Sequence, residues 1–173
     1  MMNTRDRRLE IKTTLNRSDT PIKGTDLAKH FNVSRQVIVQ DIALLRAEGE
    51  SIVATPQGYV IIKQNDDKVL KTVVSKHNTY EEMKDELQIM IDHGVTIVDV
   101  IVEHPIYGEI KGVLDISYKE ELEKFAEKIR SQKGEPLSTL TEGVHIHTIK
   151  IPNEESYNKM KEVLKERGYL IDD

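Results

Sequence analysis

Apolar positions in the first third of the chain recur with the spacing of three amphipathic helices. "TRDRRLEIKTTLN" predicts a helix that Thr4 can cap, and "KGTDLAKHFNVS" contains a second helix. In "NVSRQVIVQDIALLRAEG", Ser34 stands at an N-cap position before Ile38, Ile42 and Leu45, which are spaced i, i+4 and i+7. Only "NVS" separates the second and third helices, which is the length of the turn in a helix-turn-helix.

The apolar pattern changes after Gly49, which ends the third helix. "SIVATPQGYVII" predicts two short strands, residues 51–54 and 59–62, joined by the turn residues "TPQG". Three helices followed by a hairpin predict a winged helix-turn-helix over residues 1–64.

Strands and helices alternate in the rest of the chain, after the polar linker "KQNDDK". Periodicity predicts the order β-α-β-β-α-β-α, with the segments "KVLKTVVS", "TYEEMKDELQIMIDHG", "VTIVDVIVE", "GEIKGVLDIS", "YKEELEKFAEKIRSQ", "GVHIHTIKI" and "NEESYNKMKEVLKERG". The first six match the split β-α-β arrangement of a ferredoxin-like domain, whose helices cover one face of an antiparallel sheet. We therefore predict an α+β chain with a second domain over residues 65–173, and we expect its first and last strands not to be hydrogen-bonded neighbours.

Composition limits the kinds of protein this can be. The chain is 38% apolar and 32% charged, which is typical of a soluble globular protein. Its start, "MMNTRDRRLE", lacks the apolar core of a signal peptide, and Asp99 interrupts the most apolar stretch, "VTIVDVIV". We therefore expect a cytoplasmic protein with no membrane partner. Cysteine is absent, so any metal site would use nitrogen and oxygen ligands.

Charge divides between the two predicted domains. Residues 1–64 hold 10 Lys and Arg against 7 Asp and Glu, a net +3, whereas residues 65–173 hold 15 against 23, a net −8. Because a positive field attracts phosphate, only the first domain is suited to a polyanion. Its basic candidates for phosphate contacts are Arg5, Arg7, Arg8, Lys23 and Lys29.

The third helix carries residue types that read the major groove of DNA. If its apolar stripe faces the core, then Arg35, Gln36, Val39 and Gln40 fall on or near the opposite face, next to the capping Ser34. Arg can pair with guanine and Gln with adenine, and Val can contact a thymine methyl group. The alternative is a small helical domain with a solvated third helix, or a winged helix that contacts protein.

Two imidazoles share one face of the last strand, because alternation in "GVHIHTIK" projects His145 and His147 the same way. His77 follows the first strand, and Glu86 lies at the margin of the apolar stripe of the next helix. These four residues would make a three-His, one-carboxylate site suited to Zn²⁺, Ni²⁺, Fe²⁺ or Mn²⁺. The alternative is that the two strand histidines are exposed or simply hydrogen-bonded.

A further histidine, His104, opens the turn "HPIYGE" between the middle strands. His-Pro is a common turn element whose imidazole can bond to a neighbouring backbone group. Alternatively, His104 and Tyr107 line a pocket for a flat aromatic acid.

Three segments in order, "VSRQVIVQDIALLRAEG", "VDVIVEHPIYGEI" and "LTEGVHIHTI", resemble the niacin-responsive transcriptional repressors, in which a winged helix-turn-helix precedes a 3H domain. The resemblance implies a cytoplasmic bacterial homodimer that binds an operator with nicotinic acid as corepressor and controls genes for NAD synthesis or niacin uptake. It also implies metal ligands at His77, Glu86, His145 and His147. The interval from His77 to Glu86 is one residue longer than in relatives, so Asp85 is kept as the alternative to Glu86.

Two other functions fit the same residues. In one, the metal itself is the signal for a DNA-binding repressor. In the other, the chain is a metal-dependent hydrolase with a regulatory winged helix, although no general base accompanies the ligands in an H-E-x-x-H pattern.

Overall fold

Three helices and a two-stranded hairpin form the first of two units into which the chain divides. The computed structural model describes residues 2–62 and 69–172, and the units are Met1–Asp66 and Asp67–Asp173. The elements of the first unit are α1 (Thr4–Arg17), α2 (Gly24–Phe31), α3 (Arg35–Ala47), β1 (Ile52–Thr55) and β2 (Gly58–Ile61). The predicted boundary between residues 64 and 65 and the linker "KQNDDK" lie outside the described residues.

One predicted helix cap is confirmed, and another is shifted by one residue. The Ser34 side chain accepts a hydrogen bond from the backbone N–H of Val37, so the predicted cap of α3 is confirmed. At α1, however, Asn3 is the cap and accepts from the N–H of Asp6, whereas Thr4 is the first helical residue. Asparagine is a stronger cap than threonine, which explains the shift by one position.

The core of the first unit is built from the predicted apolar stripes. Ile38, Ile42 and Leu45 of α3 pack with Ile11 and Leu15 of α1, and residues of α2 and both strands complete the cluster. The opposite face of α3 is thereby left to the surface.

Within residues 69–172, the second unit contains four strands and three α-helices in the predicted order. Its elements are β3 (Val69–Lys76), α4 (Tyr80–Asp92), β4 (Thr96–His104), β5 (Gly108–Ile116), α5 (Lys119–Ser131), β6 (Val144–Ile151) and α6 (Glu154–Glu166). A 3₁₀ helix, Leu137–Thr141, lies between α5 and β6 and was not predicted. Among the described residues, no helix of either unit is both long and apolar enough to cross a membrane.

The four strands form one antiparallel sheet in the order β3-β6-β4-β5. The α+β class and the split arrangement are confirmed, since β3 and β4 run parallel with β6 between them. The strand order differs from the ferredoxin-like one, in which the first and third strands are central; here the last and the second are. The expectation that the first and last strands are not neighbours is therefore wrong, because β3 pairs with β6 along its whole length. The order of elements leaves open which strand takes the centre.

One face of this sheet carries the helices and the core. Alternation along β6 directs His145, His147, Ile149 and Ile151 to that face, and all four side chains are buried. The two isoleucines join the apolar core with residues of α4, α5 and α6. The two histidines thus continue the core face toward the start of β6.

Candidate metal centre and DNA-reading surface

Three imidazoles converge on one carboxylate in the second unit. Oε2 of Glu86 lies 2.6 Å from Nε2 of His77 and 3.0 Å from Nε2 of His145. Oε1 of Glu86 lies 3.5 Å from Nε2 of His147. Candidate ligand atoms of His77, Glu86 and His145 all lie within 4.8 Å of one another. The four residues predicted as a metal set are thus brought together.

Strand pairing and one helix bring these residues into position. In the β3–β6 ladder Ser75 is opposite His145, so His77, just beyond the end of β3, reaches the same end of the sheet. Thr79 then starts α4 with a capping box, and Glu86 follows two turns into the helix. Glu86 is 0% exposed, so it lies within the buried face of α4 and not at its margin as predicted.

The strand histidines are oriented by backbone carbonyls. Nδ1 of His145 lies 2.8 Å from the carbonyl oxygen of Gly143, and Nδ1 of His147 lies 2.7 Å from that of Asp99. Because a carbonyl oxygen can only accept, both Nδ1 atoms carry the proton. A neutral imidazole in that tautomer has its lone pair on Nε2, the atom that faces Glu86.

This tautomer decides what the centre can hold. Two Nε2 lone pairs directed at a carboxylate repel it unless a cation lies between them, either a proton on the ring or a metal ion. Ligating histidines in metalloproteins commonly donate their other N–H to a backbone carbonyl, as His145 and His147 do here. The donor set of three nitrogens and one carboxylate therefore fits a divalent transition metal.

In the metal-free centre, a proton on His147 can take the role of this cation. Burial would raise the pKa of Glu86, but the charge of His147 and the hydrogen bonds of the three imidazoles lower it well below its ordinary value. Burial likewise opposes the charged form of His147, yet the neighbouring Glu86 carboxylate raises the pKa of this imidazole overall. A buried carboxylate facing a protonated imidazole is the state that a metal ion would replace.

A buried hydroxyl beside the histidines lacks a partner. Ser75 is 0% exposed, and its Oγ has no hydrogen-bond partner in the described part of the chain. Such a group costs about 1–3 kcal/mol when it is left unsatisfied. Sequence reasoning passed over Ser75, although alternation along β3 places it on the same face as Val73, toward the core.

An apolar cleft lies beside the three imidazoles. Its volume is about 30 Å³, which is room for one water-sized group. Besides the histidines, it is lined by Met83 and Leu87 of α4, Val100 of β4, Leu114 of β5, Phe125 of α5 and residues 136–138. This side of the centre is where a further ligand of the metal could reach it.

The alternative ligand Asp85 is hydrogen-bonded to residues outside the histidine cluster. Its Oδ2 accepts hydrogen bonds from Nη1 of Arg167 at 2.9 Å and from the Tyr169 hydroxyl at 2.8 Å. Burial, together with the bond to Asp85, raises the pKa of Tyr169 to about 12. Asp85 thus anchors the segment after α6, and the carboxylate that meets the imidazoles belongs to Glu86.

His104 acts within its own turn. Its Nδ1 accepts hydrogen bonds from the backbone N–H groups of Ile106 and Tyr107, at 3.1 and 3.3 Å. The Tyr107 ring lies 5.1 Å from the imidazole, and this residue is 75% exposed. The structure thus displays the turn role, while a pocket formed by His104 and Tyr107 stays a prediction.

The face of α3 opposite the core carries the residues predicted to read DNA. Arg35, Gln36 and Gln40 are exposed and Val39 is partly exposed. Ser34, also exposed, caps the helix. The five residues therefore occupy one accessible surface at the start of α3.

One predicted phosphate contact is wrong. Nε and Nη2 of Arg7 lie 2.6 and 3.3 Å from the two carboxylate oxygens of the buried Asp41 in α3. The Arg7 side chain is only 12% exposed, because this fork ties α1 to α3. Arg7 and Asp41 are 34 residues apart in the sequence, so no local sequence pattern predicts that they pair. Arg7 is thus a structural residue.

Comparison with known proteins assigns the chain. An HTH domain model matches residues 7–60, and a 3H domain model matches residues 70–173. "Probable transcription repressor NiaR" of Thermotoga maritima is 48% identical in an alignment of 174 positions that covers 100% of this chain and 98% of that protein. The chain belongs to the 3H-domain family of transcription repressors. The 3H domain is the second unit described above, so it contains the cluster of His77, Glu86, His145 and His147.

Other relatives extend the assignment. "Transcription repressor NadR" of Bacillus subtilis is 40% identical over 171 residues, covering 97% of this chain and 94% of that protein. An "Uncharacterized protein" of Methanothermus fervidus is 34% identical over 107 residues, covering 58% of this chain and 17% of that protein. Because the full-length 3H-domain relatives are named as repressors, the chain is a regulator and not an enzyme, and the hydrolase alternative is set aside. The resemblance noted from three sequence segments is confirmed.

Proposed function

We propose that this 3H-domain repressor uses nicotinic acid as its corepressor and controls genes for NAD biosynthesis or niacin uptake. The observation that carries the proposal is the meeting of three imidazole nitrogens and one carboxylate beside an apolar cleft, in the unit that lacks the helix-turn-helix. A cluster of potential ligands next to apolar walls suits a small aromatic acid, provided that the cleft of about 30 Å³ widens to admit the ring. The resemblance to niacin-responsive repressors supplies the identity of the acid.

The proposal assigns His77, Glu86, His145 and His147 to a divalent ion, which would be Zn²⁺, Ni²⁺, Fe²⁺ or Mn²⁺. The support is the converging Nε2 atoms, the carbonyl bonds that orient His145 and His147, and the Ser75 hydroxyl, which has no partner among the described residues. When bound, such an ion would supply a positive charge that can attract a nitrogen or oxygen donor of an effector. The side chains of the cluster and of the cleft would set the charge and the shape around the ion.

On the DNA side, Ser34, Arg35, Gln36, Val39 and Gln40 would enter the major groove of an operator. Two copies of the chain would place two such helices about one DNA turn apart, as a symmetric operator requires. The regulator would then act in the cytoplasm as a homodimer. Nicotinate would favour the dimer geometry that matches the operator, through its better binding to that state.

The test begins with a search for the operator. The metal-loaded protein is used to select duplexes from a random DNA library, once with nicotinate and once without it. The selected duplex is then titrated with protein at fixed salt over a range of nicotinate concentrations. We expect DNA affinity to rise with nicotinate and to be unaffected by benzoate. An affinity that is constant at every nicotinate concentration would exclude this acid as corepressor.

The small volume of the cleft supports a second candidate, in which the metal alone is the signal. A chelator separates the two functions. If metal is the signal, removing it abolishes operator binding and restoring it suffices, with no organic acid present. If nicotinate is the signal, the metal-loaded protein without nicotinate binds the operator weakly.

A further inference from the structure

Ser138 is one of the residues that line the apolar cleft beside the imidazoles. We infer that Ser138 is the polar anchor of the effector, and that its hydroxyl donates a hydrogen bond to a small planar monoanion whose ring lies against the apolar walls. This inference rests on the proposed function and adds to it the residue that holds the effector and the charge that the effector must carry.

The backbone of Ser138 is already committed to the fold. Its carbonyl oxygen accepts from the N–H of Gly143 at 2.9 Å and from Oγ1 of Thr141 at 3.3 Å. The residue is only 4% exposed and belongs to the 3₁₀ helix Leu137–Thr141. The side chains that line the rest of the cleft, apart from the histidines, are apolar. A buried ligand with a polar end therefore finds its donor at Ser138.

Charge balance selects the chemical class of the ligand. With neutral imidazoles and one carboxylate, a divalent ion leaves a net charge of +1 in a buried centre. An uncompensated buried charge is costly, so a ligand that carries one negative charge is favoured over a neutral ligand of the same shape. The site therefore favours an aromatic carboxylate over the corresponding carboxamide.

The present cleft is too small for an aromatic ring, because it has room for one water-sized group. The ring must displace part of its lining, and the 3₁₀ helix that carries Ser138 is a short element at its edge. This helix is tied to the centre through Gly143, whose carbonyl accepts from the N–H of His77 and from Nδ1 of His145. Effector and metal should therefore influence each other's affinity to the same extent.

Calorimetry on the full-length, metal-loaded protein tests the inference. Nicotinate and nicotinamide are titrated into wild type, Ser138→Ala and the control Ser131→Ala, which changes an exposed serine at the end of α5. Metal content is measured separately for each protein. We expect wild type to bind nicotinate at least about tenfold more tightly than nicotinamide, and Ser138→Ala to weaken nicotinate about tenfold at unchanged metal content. Ser131→Ala should behave as wild type.

The possible results separate the inference from the proposed function. If wild type binds nicotinate and Ser138→Ala binds it equally well, Ser138 is not the anchor, while the proposed function stands. Equal affinity for acid and amide overturns the charge argument. Loss of metal from Ser138→Ala shows a structural role and also overturns the inference. If wild type gives no binding heat with nicotinate and operator affinity does not respond to it, both the function and the inference fail.

Discussion

Asp99 holds both His147 and the peptide unit that follows it. Its backbone carbonyl accepts the Nδ1–H of His147 at 2.7 Å, while its carboxylate Oδ1 accepts the N–H of Thr148 at 3.0 Å. Asp99 is buried and lies where the pairing of β4 shifts register against both neighbouring strands. Such irregularities are frequent beside functional sites because they redirect groups that a regular strand would use in the sheet. Here the redirected group fixes the tautomer of a candidate metal ligand.

The first prediction concerns this contact. Asp99→Ala should weaken binding of Ni²⁺ or Zn²⁺ about 10- to 100-fold, because losing the Thr148 bond loosens the strand that presents the Asp99 carbonyl to His147. Asp99→Asn retains an oxygen acceptor and should lose much less. Competition with a chromophoric chelator measures the affinities, and Asp92→Ala at the exposed end of α4 is the control. Equal affinities for the alanine and asparagine variants would contradict the role assigned to Asp99.

A second prediction follows from the pKa of each partner in the metal-free centre. Glu86 has a lowered pKa, so its contribution to folding is present above 4.5, the ordinary value, and is lost as pH falls through the folded-state pKa. His147 has a raised pKa, so its contribution is complete below 6.5 and is lost as pH rises through the raised value. The free energy of unfolding of the 3H domain should therefore be highest between these two pH values.

Urea denaturation in the presence of a chelator, repeated across the pH range, measures this curve. Glu86→Gln removes the carboxylate that raises the pKa of His147. The decrease in the free energy of unfolding with rising pH should therefore disappear in this variant. A wild-type curve with the same shape as that of Glu86→Gln would show that the pair does not govern the pH dependence.

A third prediction separates the two units. Arg35→Ala should cost about 1–3 kcal/mol of operator binding and relax specificity at one base pair, with metal content unchanged. His145→Ala combined with His147→Ala should abolish metal binding and leave the helix-turn-helix folded, because no core residue of the first unit is altered. Metal analysis and circular dichroism are the measurements. Unchanged metal content in the double variant would disprove the proposed ligand set.

The fourth prediction concerns the unpartnered hydroxyl of Ser75. Ser75→Ala removes a buried group that has no hydrogen-bond partner within residues 2–62 and 69–172, so the metal-free protein should become more stable by about 1 kcal/mol, as measured by urea denaturation. The same substitution should stabilise the metal-loaded protein less, if the bound ion brings a water or ligand to which the Ser75 hydroxyl can donate a hydrogen bond. If wild type and Ser75→Ala are equally stable with and without metal, then the Ser75 hydroxyl forms a hydrogen bond in solution.

Local sequence patterns predicted most of the secondary structure and several of the candidate site residues. The recognition surface of α3 followed from its apolar stripe and the Ser34 cap, and the shared face of His145 and His147 followed from alternation along a strand. The burial of Glu86 was underestimated, because helix phase gives the direction of a side chain and not what packs against it. The contacts of Arg7 with Asp41 and of His147 with the Asp99 carbonyl could not be predicted, because each connects residues that are far apart in the sequence. The 3₁₀ helix around Ser138 is too short to produce a period.

The pairing of β3 with β6 joins the first and last strands of the 3H domain. His77 and Glu86 precede His145 and His147 by about 60 residues or more, so the cluster cannot assemble until β6 has been synthesised. A product that stops before residue 144 would retain every residue of the DNA-reading helix and lack half of the candidate ligands. In such a fragment α3 would be intact while the candidate metal centre would be lost, because "HIH" lies in the last strand of the 3H domain.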